Sequence, residues 1–419
     1  MADKYFLSEF PWIDELKKRM NGVTFPDYRE VNGHIHTPYS FSAFDRLETA
    51  FDMAKAEQVS VLGISDFFVT DGYEVFNNRC LRNNIFPLFN IEFIGLLKKE
   101  QKNGIRINDP NNPGRIYFSG KGLDFPFNPG WVQKWQLNRV INESQYQIKS
   151  MIRKLNELII PVDPSLSLTY KNVKEKYAQK LVRERHLAKA VRQLASDSYS
   201  SPDDQLRFIE SLYGGKKSEA GIDNPAVLEN EIRSNLLKAG GAAYVEEDKN
   251  AFLKLSNIIN IIVKAGGIPC YPVLLDDPSG KCTEYEADAE SLHHSLSTYG
   301  IGCIEFIPKR NDLSILRDFV DFFDKKGYVI LFGTEHNTPE MAPVKVSARG
   351  QNPLDERLKK IAWEGACVVA AHQYLRAHRR QGYVLHDGTL SSDQKNELAK
   401  LGQVVIEYFL IRKQYESGN

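Results

Sequence analysis

"VNGHIHTPYSFSAFD", residues 31–45, ends a short apolar run with two histidines one residue apart, then adds hydroxyl and aromatic side chains. Alternate side chains on a β-strand share a face. His34 and His36 can therefore reach the same atom. The residues leave two readings open: a pair of metal ligands, or two ordinary histidines near a strand end. The choice depends on what other strands bring to the same place.

Working outward, short apolar runs alternate with helix-like segments. A helix around 45–57 precedes "VSVLGISD" (59–66), a buried strand, and "FPLFNIEFIGLL" (86–97) is the next. "NGIRINDPNNPGRIYFSG" (103–120) is expected to form a hairpin closed by its Asn/Pro/Gly turn. From about 131 to 264 the pattern is helical and charge-rich, with no convincing strand. Strands return with "GGIPCYPVLL" (266–275), "IGCIEFIP" (301–308) and "YVILFGTEHN" (328–337), with helices near 286–299, 312–326, 354–379 and 391–415. Strands alternating with helices imply βαβ units and a parallel sheet. In such sheets the chemistry gathers at the C-terminal strand ends. The polar residues there are His34 and His36, Ser65 and Asp66, Glu92, Tyr271, Glu305, then Glu335, His336 and Asn337. Exposed strand ends are often polar, but six successive strands ending this way suggest a shared cavity.

The bulk numbers narrow the class. A chain of 419 residues with 42% hydrophobic and 26% charged residues can bury a sizeable core. Lys plus Arg and Asp plus Glu both number 54, which argues against a bulk nucleic-acid binder. Charges interrupt the apolar residues of "MADKYFLSEFPWIDELKKRM", so no signal peptide is expected, and no stretch approaches the roughly 20 apolar residues of a membrane span. The five cysteines, Cys80, Cys270, Cys282, Cys303 and Cys367, form no CxxC pair. Free thiols in a reducing, cytoplasmic setting are expected. Phosphate-loop, nucleophile-elbow and dinucleotide fingerprints are absent.

"HIHTPYS" (34–40), "LGISD" (62–66), "NIEF" (90–93), "GGIPCYP" (266–272) and "GTEHN" (333–337), in that order, resemble the motifs of the polymerase and histidinol phosphatase (PHP) family. The resemblance implies a distorted seven-stranded (β/α)7 barrel, TIM-like, that holds up to three divalent metals and hydrolyses phosphoesters. It covers roughly residues 31–97 and 265–340, and helical insertions between such segments occur in relatives that cleave phosphodiesters. The expected α/β architecture is an N-terminal helix and loop (1–30), a discontinuous barrel domain (31–125 and 265–380), a mostly helical cap (126–264) and a C-terminal helix (381–419).

The departures have a pattern. Phe41 stands where the family writes an acid, Phe67 and Tyr271 where it writes histidines, and Glu335-His336-Asn337 where it writes Asp, a spacer and His. The ligands that the family devotes to one ion map to His34, His36, Glu92 and Glu335, and all four can still ligate. The resemblance therefore implies a site pared to one metal, with Zn, Mn or Fe suited to two imidazoles and two carboxylates. The expected function is a metal-dependent hydrolase acting on a small anionic substrate, a phosphoester first, through a metal-activated water. Asp66 or His336 is expected to assist proton transfer. Arg183, His186, Tyr271, Lys309 and Arg310 are the candidate substrate-binding residues. A one-metal lyase, isomerase or hydrolase of a sugar or sugar acid is the alternative, as is a catalytically silent binding protein. No membrane or nucleic-acid partner is expected, and the oligomeric state is left open. Asp66 has a competing reading as a helix N-cap, Tyr271 as a buried aromatic, and the Arg183–His186 helix as a solvated charged face.

Overall fold

In the computed structural model, which describes residues 5–416, seven strands join in sequence order into one sheet. They are β1 (Glu30–Ile35), β2 (Val59–Phe67), β3 (Phe86–Leu96), β4 (Arg115–Lys121), β5 (Ile268–Val273), β6 (Cys303–Phe306) and β7 (Val329–Phe332). The sheet curls until its ends meet. Thr334 and Glu335 donate backbone N–H bonds to His34 O at 3.1 and 2.9 Å, and His36 N donates to Glu335 O at 2.7 Å. The result is a nearly closed, TIM-like α/β barrel with the 34–36 segment at its seam.

Most strands are apolar on both faces, as strands in a barrel wrapped by helices must be. The wrapping helices are amphipathic. Helices α1 (Ile13–Arg19) and α2 (Leu47–Ala56) precede β2, and α3 (Tyr73–Asn83) follows it. Helix α2 buries Leu47, Ala50, Phe51 and Ala54, one stripe at helical spacing. A short α4 (Lys98–Lys102) follows β3. The long segment after β4 contains α5 (Trp131–Val162), α6 (Tyr170–Tyr177), α7 (Glu184–Ser198), α8 (Pro202–Leu212), α9 (Pro225–Ile232) and α10 (Leu255–Lys264). Residues of α5 to α9, among them Leu155, Leu187, Val191, Ile209 and Ile232, form a hydrophobic core of their own. Helix α10 instead buries Ile258, Ile261 and Ile262 in the barrel's core. Helices α11 (Ala289–Thr298), α12 (Leu313–Lys325), α13 (Glu356–Ala377) and α14 (Lys395–Glu416) complete the wrap. Among the described residues no helix is long and apolar enough to cross a membrane.

The strand directions correct one expectation. β4 runs antiparallel to both β3 and β5, whereas the other sheet neighbours are parallel. The expected hairpin within 103–120 is also displaced. Its second half is β4, but the partner is β3, from Leu96 opposite Arg115 to Ile91 opposite Gly120. Residues 103–114 form an irregular loop instead. Asp109 Oδ1 accepts from Asn111 N and Asn112 N at 3.0 and 3.2 Å, and the Asn108 amide bonds the backbone of Tyr117 and Pro272. These side chains give the loop polar backbone its partners, so it needs no strand pairing.

Beneath the seam the backbones approach closely. A Cβ on Gly63 would lie 2.2 Å from Gly33 O and 2.6 Å from Asn90 Nδ2, so only glycine fits on β2 at this level. Asn90 Nδ2 donates to Gly33 O at 3.0 Å and its Oδ1 accepts from Gly122 N at 3.1 Å. One side chain thus ties β1, β3 and the end of β4 together directly below His34.

Candidate metal centre

β1 carries His34 and His36 inward, and β3 brings Glu92 to the same level. All three are buried. His34 Nδ1 donates to Glu305 Oε2 at 2.8 Å, since a carboxylate only accepts. His36 Nδ1 lies 3.3 Å from Ser40 Oγ, whose own proton goes to Asp66 Oδ1 at 2.6 Å. Each ring therefore carries a proton on Nδ1, and in its neutral form presents the Nε2 lone pair. Those two nitrogens are 3.2 Å apart. Glu92 Oε2 lies 3.0 Å from His36 Nε2 and 3.7 Å from His34 Nε2, and receives no hydrogen bond.

With Glu92 ionised and both rings neutral, three acceptors thus face one point with no donor among them. Such an arrangement is repulsive unless a cation is shared between them. Metal–ligand bonds of about 2.0–2.2 Å put neighbouring ligand atoms roughly 3.0–3.6 Å apart. Two of the three separations fall in that range and the third, 3.7 Å, lies just beyond it; the three residues form a cluster that could hold a metal ion. The electrostatics agree. Burial pushes the Glu92 carboxyl up to about 8, with Glu335 and Glu305 adding to the rise against His34. Burial holds His36 down to about 4, which keeps its ring neutral and able to ligate.

The fourth expected ligand, Glu335, does not join this cluster. It sits just past β7 with φ +64°, and its Oε2 is ion-paired with Arg310. Burial would raise its carboxyl, but the Arg310 guanidinium beside it lowers it. Arg310 is therefore placed beside the centre, though committed to a carboxylate. Lys309 is half-buried, and burial lowers its ammonium despite Glu335 nearby.

Several other candidate residues have their polar atoms engaged by neighbours. Asp66 is buried with both oxygens occupied, by Thr37 N at 2.8 Å, Thr37 Oγ1 at 2.5 Å and Ser40 Oγ. It caps no helix and has no free oxygen for substrate. It shapes the turn after β1 and orients His36 through Ser40. His336 is equally committed. Its Nε2 donates to Ala342 O at 2.9 Å, its Nδ1 accepts from Thr334 Oγ1 at 2.8 Å, and its ring stacks on Phe44. It has no free nitrogen for acid–base work. Tyr271 is a buried aromatic whose hydroxyl donates to Glu286 Oε1 at 2.7 Å. His186 is buried too, and its Nδ1 accepts from Arg183 N at 2.9 Å, closing the start of α7. Burial, reinforced by Arg183, holds its ring down to about 3.

Above the centre lies a cavity of about 720 Å³, reached by Glu92 and Arg310 from the barrel and by Arg183, Arg185, Arg233 and Lys238 from the helical segment. Arg183 lies over the Phe67 ring at 4.4 Å, and Phe67 in turn stacks on His36 at 4.7 Å. Glu184 is the carboxylate these arginines share. Burial would raise it, but Arg233, Arg183 and Arg185 drive it far below the usual range. Burial lowers Arg185 to about 10, and Arg233 adds to the effect. On this wall of the cavity the four cations outnumber two carboxylates, Glu184 and Glu247.

Comparison with solved structures gives the fold its context. A protein from Bifidobacterium adolescentis, provisionally described as a metal-dependent phosphoesterase, superposes with a TM-score of 0.52 at 12% identity, over 80% of this chain and 95% of its own. An amidohydrolase from Chromobacterium violaceum, with bound sulfate and no metal, gives 0.48 at 14% identity over 80% and 96%. No family profile and no curated protein sequence matches the chain. The chain therefore shares the barrel of a protein described as metal-dependent, at an identity that speaks to fold alone.

Two residues next to the centre escape a sequence reading. Glu305 stands out only as one polar strand end among several. Lys121 carries no signal, because a lysine after "IYFSG" reads as the exposed end of a hairpin. Both are fully buried, and Lys121 Nζ donates to Glu305 Oε1 at 2.6 Å.

Proposed function

We propose that the protein is a metal-dependent hydrolase of small anionic phosphoesters, of the kind its motifs suggest, working with a single-metal centre. The observation that carries this reading is the convergence of His34 Nε2, His36 Nε2 and Glu92 Oε2 on one buried point. Two imidazoles and a carboxylate suit Zn, Mn or Fe and leave positions open for substrate and water, as a catalytic rather than a structural site requires. When bound, a divalent ion there supplies a Lewis acid and lowers the pKa of a coordinated water.

The chain's own residues do the rest. Ser40 and Glu305 hold the two rings so that both lone pairs face inward. Phe67, stacked on His36, excludes water from that flank. Arg183, Arg185 and Arg233, sharing Glu184, make the cavity wall attractive to phosphate, with arginine offering two donors to one anion. Arg310 can exchange Glu335 for a substrate oxygen, which would free that carboxylate beside the centre. Once released from Arg310, Glu335 would be the base for hydrolysis, since Asp66 and His336 are committed elsewhere.

The test is a panel of sugar and nucleotide phosphates offered to chelator-stripped protein with and without added Zn or Mn. Metal-dependent release of phosphate, lost in H36A, supports the reading. A blank panel with metal demonstrably bound would move it to sugar or sugar-acid chemistry.

A further inference from the structure

Lys121, Glu305 and His34 form a buried chain beneath the centre. Lys121 Nζ is 2.6 Å from Glu305 Oε1, and Glu305 Oε2 is 2.8 Å from His34 Nδ1. Lys121 also lies 3.5 Å from Ser65 Oγ. The three come from β4, β6 and β1, and all are essentially inaccessible to solvent. A buried ion pair is weak support for stability, since well-packed apolar groups often do as well. Its best-attested use is to fix one arrangement among several. What it fixes here is the direction of hydrogen bonding into His34. Lysine only donates and a carboxylate only accepts, so Lys121 occupies one oxygen of Glu305 and the other must accept from His34.

We propose that Lys121 and Glu305 are positioning residues that lock His34 in the tautomer with its proton on Nδ1, leaving Nε2 free. The consequence for metal binding rests on the reading of His34 as a ligand; the tautomer assignment does not. The lock has a consequence that a merely structural pair would not have. In E305Q, Lys121 continues to demand an acceptor and so holds the amide oxygen. The amide NH2 then faces His34 Nδ1, which must become the acceptor. The proton moves to Nε2, and the lone pair aimed at His36 and Glu92 is lost. In E305Q/K121M nothing holds the amide oxygen, so the amide turns and its carbonyl accepts from His34 Nδ1–H again. In E305M/K121M no acceptor remains.

The experiment reads the His34 ring nitrogens by 15N NMR in chelator-treated full-length protein, and Zn²⁺ affinity by calorimetry. Wild type and E305Q/K121M should show a protonated Nδ1, and E305Q a protonated Nε2. Loss of an outer-shell partner of this type weakens metal binding by about 10–100-fold. Affinity should fall by that factor in E305Q and E305M/K121M and return to within about 10-fold in E305Q/K121M. The double variants leave no unpaired buried charge, so their comparison decides the matter if E305Q alone does not fold. An unchanged tautomer in E305Q, or E305Q/K121M no better than E305M/K121M, overturns the proposal. Wild-type protein that shows the expected tautomer and binds no Zn²⁺ would count against the hydrolase reading and leave the lock standing.

Discussion

Replacing Glu92 by glutamine separates the cost of the metal-free centre from its use. Without metal, the Glu92 carboxyl is pushed up by burial to about 8 from an ordinary 4.5. The folded value is raised, so the unfolded chain ionises first as pH rises. The resulting cost to stability is absent below pH 4.5, grows with pH, and levels off near 8. One pKa unit corresponds to about 1.36 kcal/mol, so at pH 7 the cost is on the order of 3 kcal/mol, and at pH 5 it is under about 1 kcal/mol. Glutamine does not ionise, and its NH2 offers His36 Nε2 a donor at every pH. Urea denaturation in the presence of chelator should show E92Q more stable than wild type by on the order of 3 kcal/mol at pH 7, and nearly equal at pH 5. Saturating Zn²⁺ should then reverse the order at pH 7. Wild type gains about 4.1 kcal/mol at 1,000 times its Kd, and E92Q gains little. A gap of the same size at both pH values, or E92Q less stable than wild type in chelator, would refute the reasoning that the buried centre opposes the charge on Glu92.

Other expectations follow from neighbouring contacts. G63A drives a methyl group into Gly33 O and Asn90 Nδ2; it should cost roughly 1–3 kcal/mol or more in urea denaturation and weaken Zn²⁺ binding, because Gly33 adjoins His34. His372, whose Nε2 donates to Gly266 O at 2.6 Å, is held by burial down to about 4 from an ordinary 6.5. The unfolded chain protonates first, so this stability is present above pH 6.5 and is lost as pH falls to 4. H372Q keeps a donor for Gly266 and should lose on the order of 3 kcal/mol less than wild type over that interval in acid denaturation. R233Q removes a charged donor from the cavity wall; KM for an anionic substrate should rise about 10–100-fold with Zn²⁺ affinity unchanged.

Much of the barrel is legible in the sequence because its signals are local. The apolar runs at 59–66, 86–97 and 301–308 coincide with strands to within a few residues, and α12 and α13 begin at Asp312 and Asp355, whose side chains cap them. Strand direction is not local. Whether β4 runs with or against β3 depends on how residues 97–114 fold back, and the Asn108 amide that anchors this loop donates to Pro272 O, far away in sequence. The same holds within the site. The His34–His36 spacing shows two rings on one face, but the partners of Nδ1 come from Glu305 and Ser40. His336 and Tyr271 bear the residue types of catalytic and binding groups at strand ends, and are consumed by Ala342, Thr334 and Glu286. Glu335 lies at the expected end of β7 and turns to Arg310, a pairing that only the approach of two loops creates.

The central claim is that His34, His36 and Glu92 share one ion. Anomalous diffraction from crystals soaked in Zn²⁺ tests it most directly. The account predicts a peak about 2.0–2.2 Å from His34 Nε2, His36 Nε2 and Glu92 Oε2 at once. A centre with no peak at saturating Zn²⁺, or a peak bound by other residues while these three keep their metal-free spacing, would contradict it.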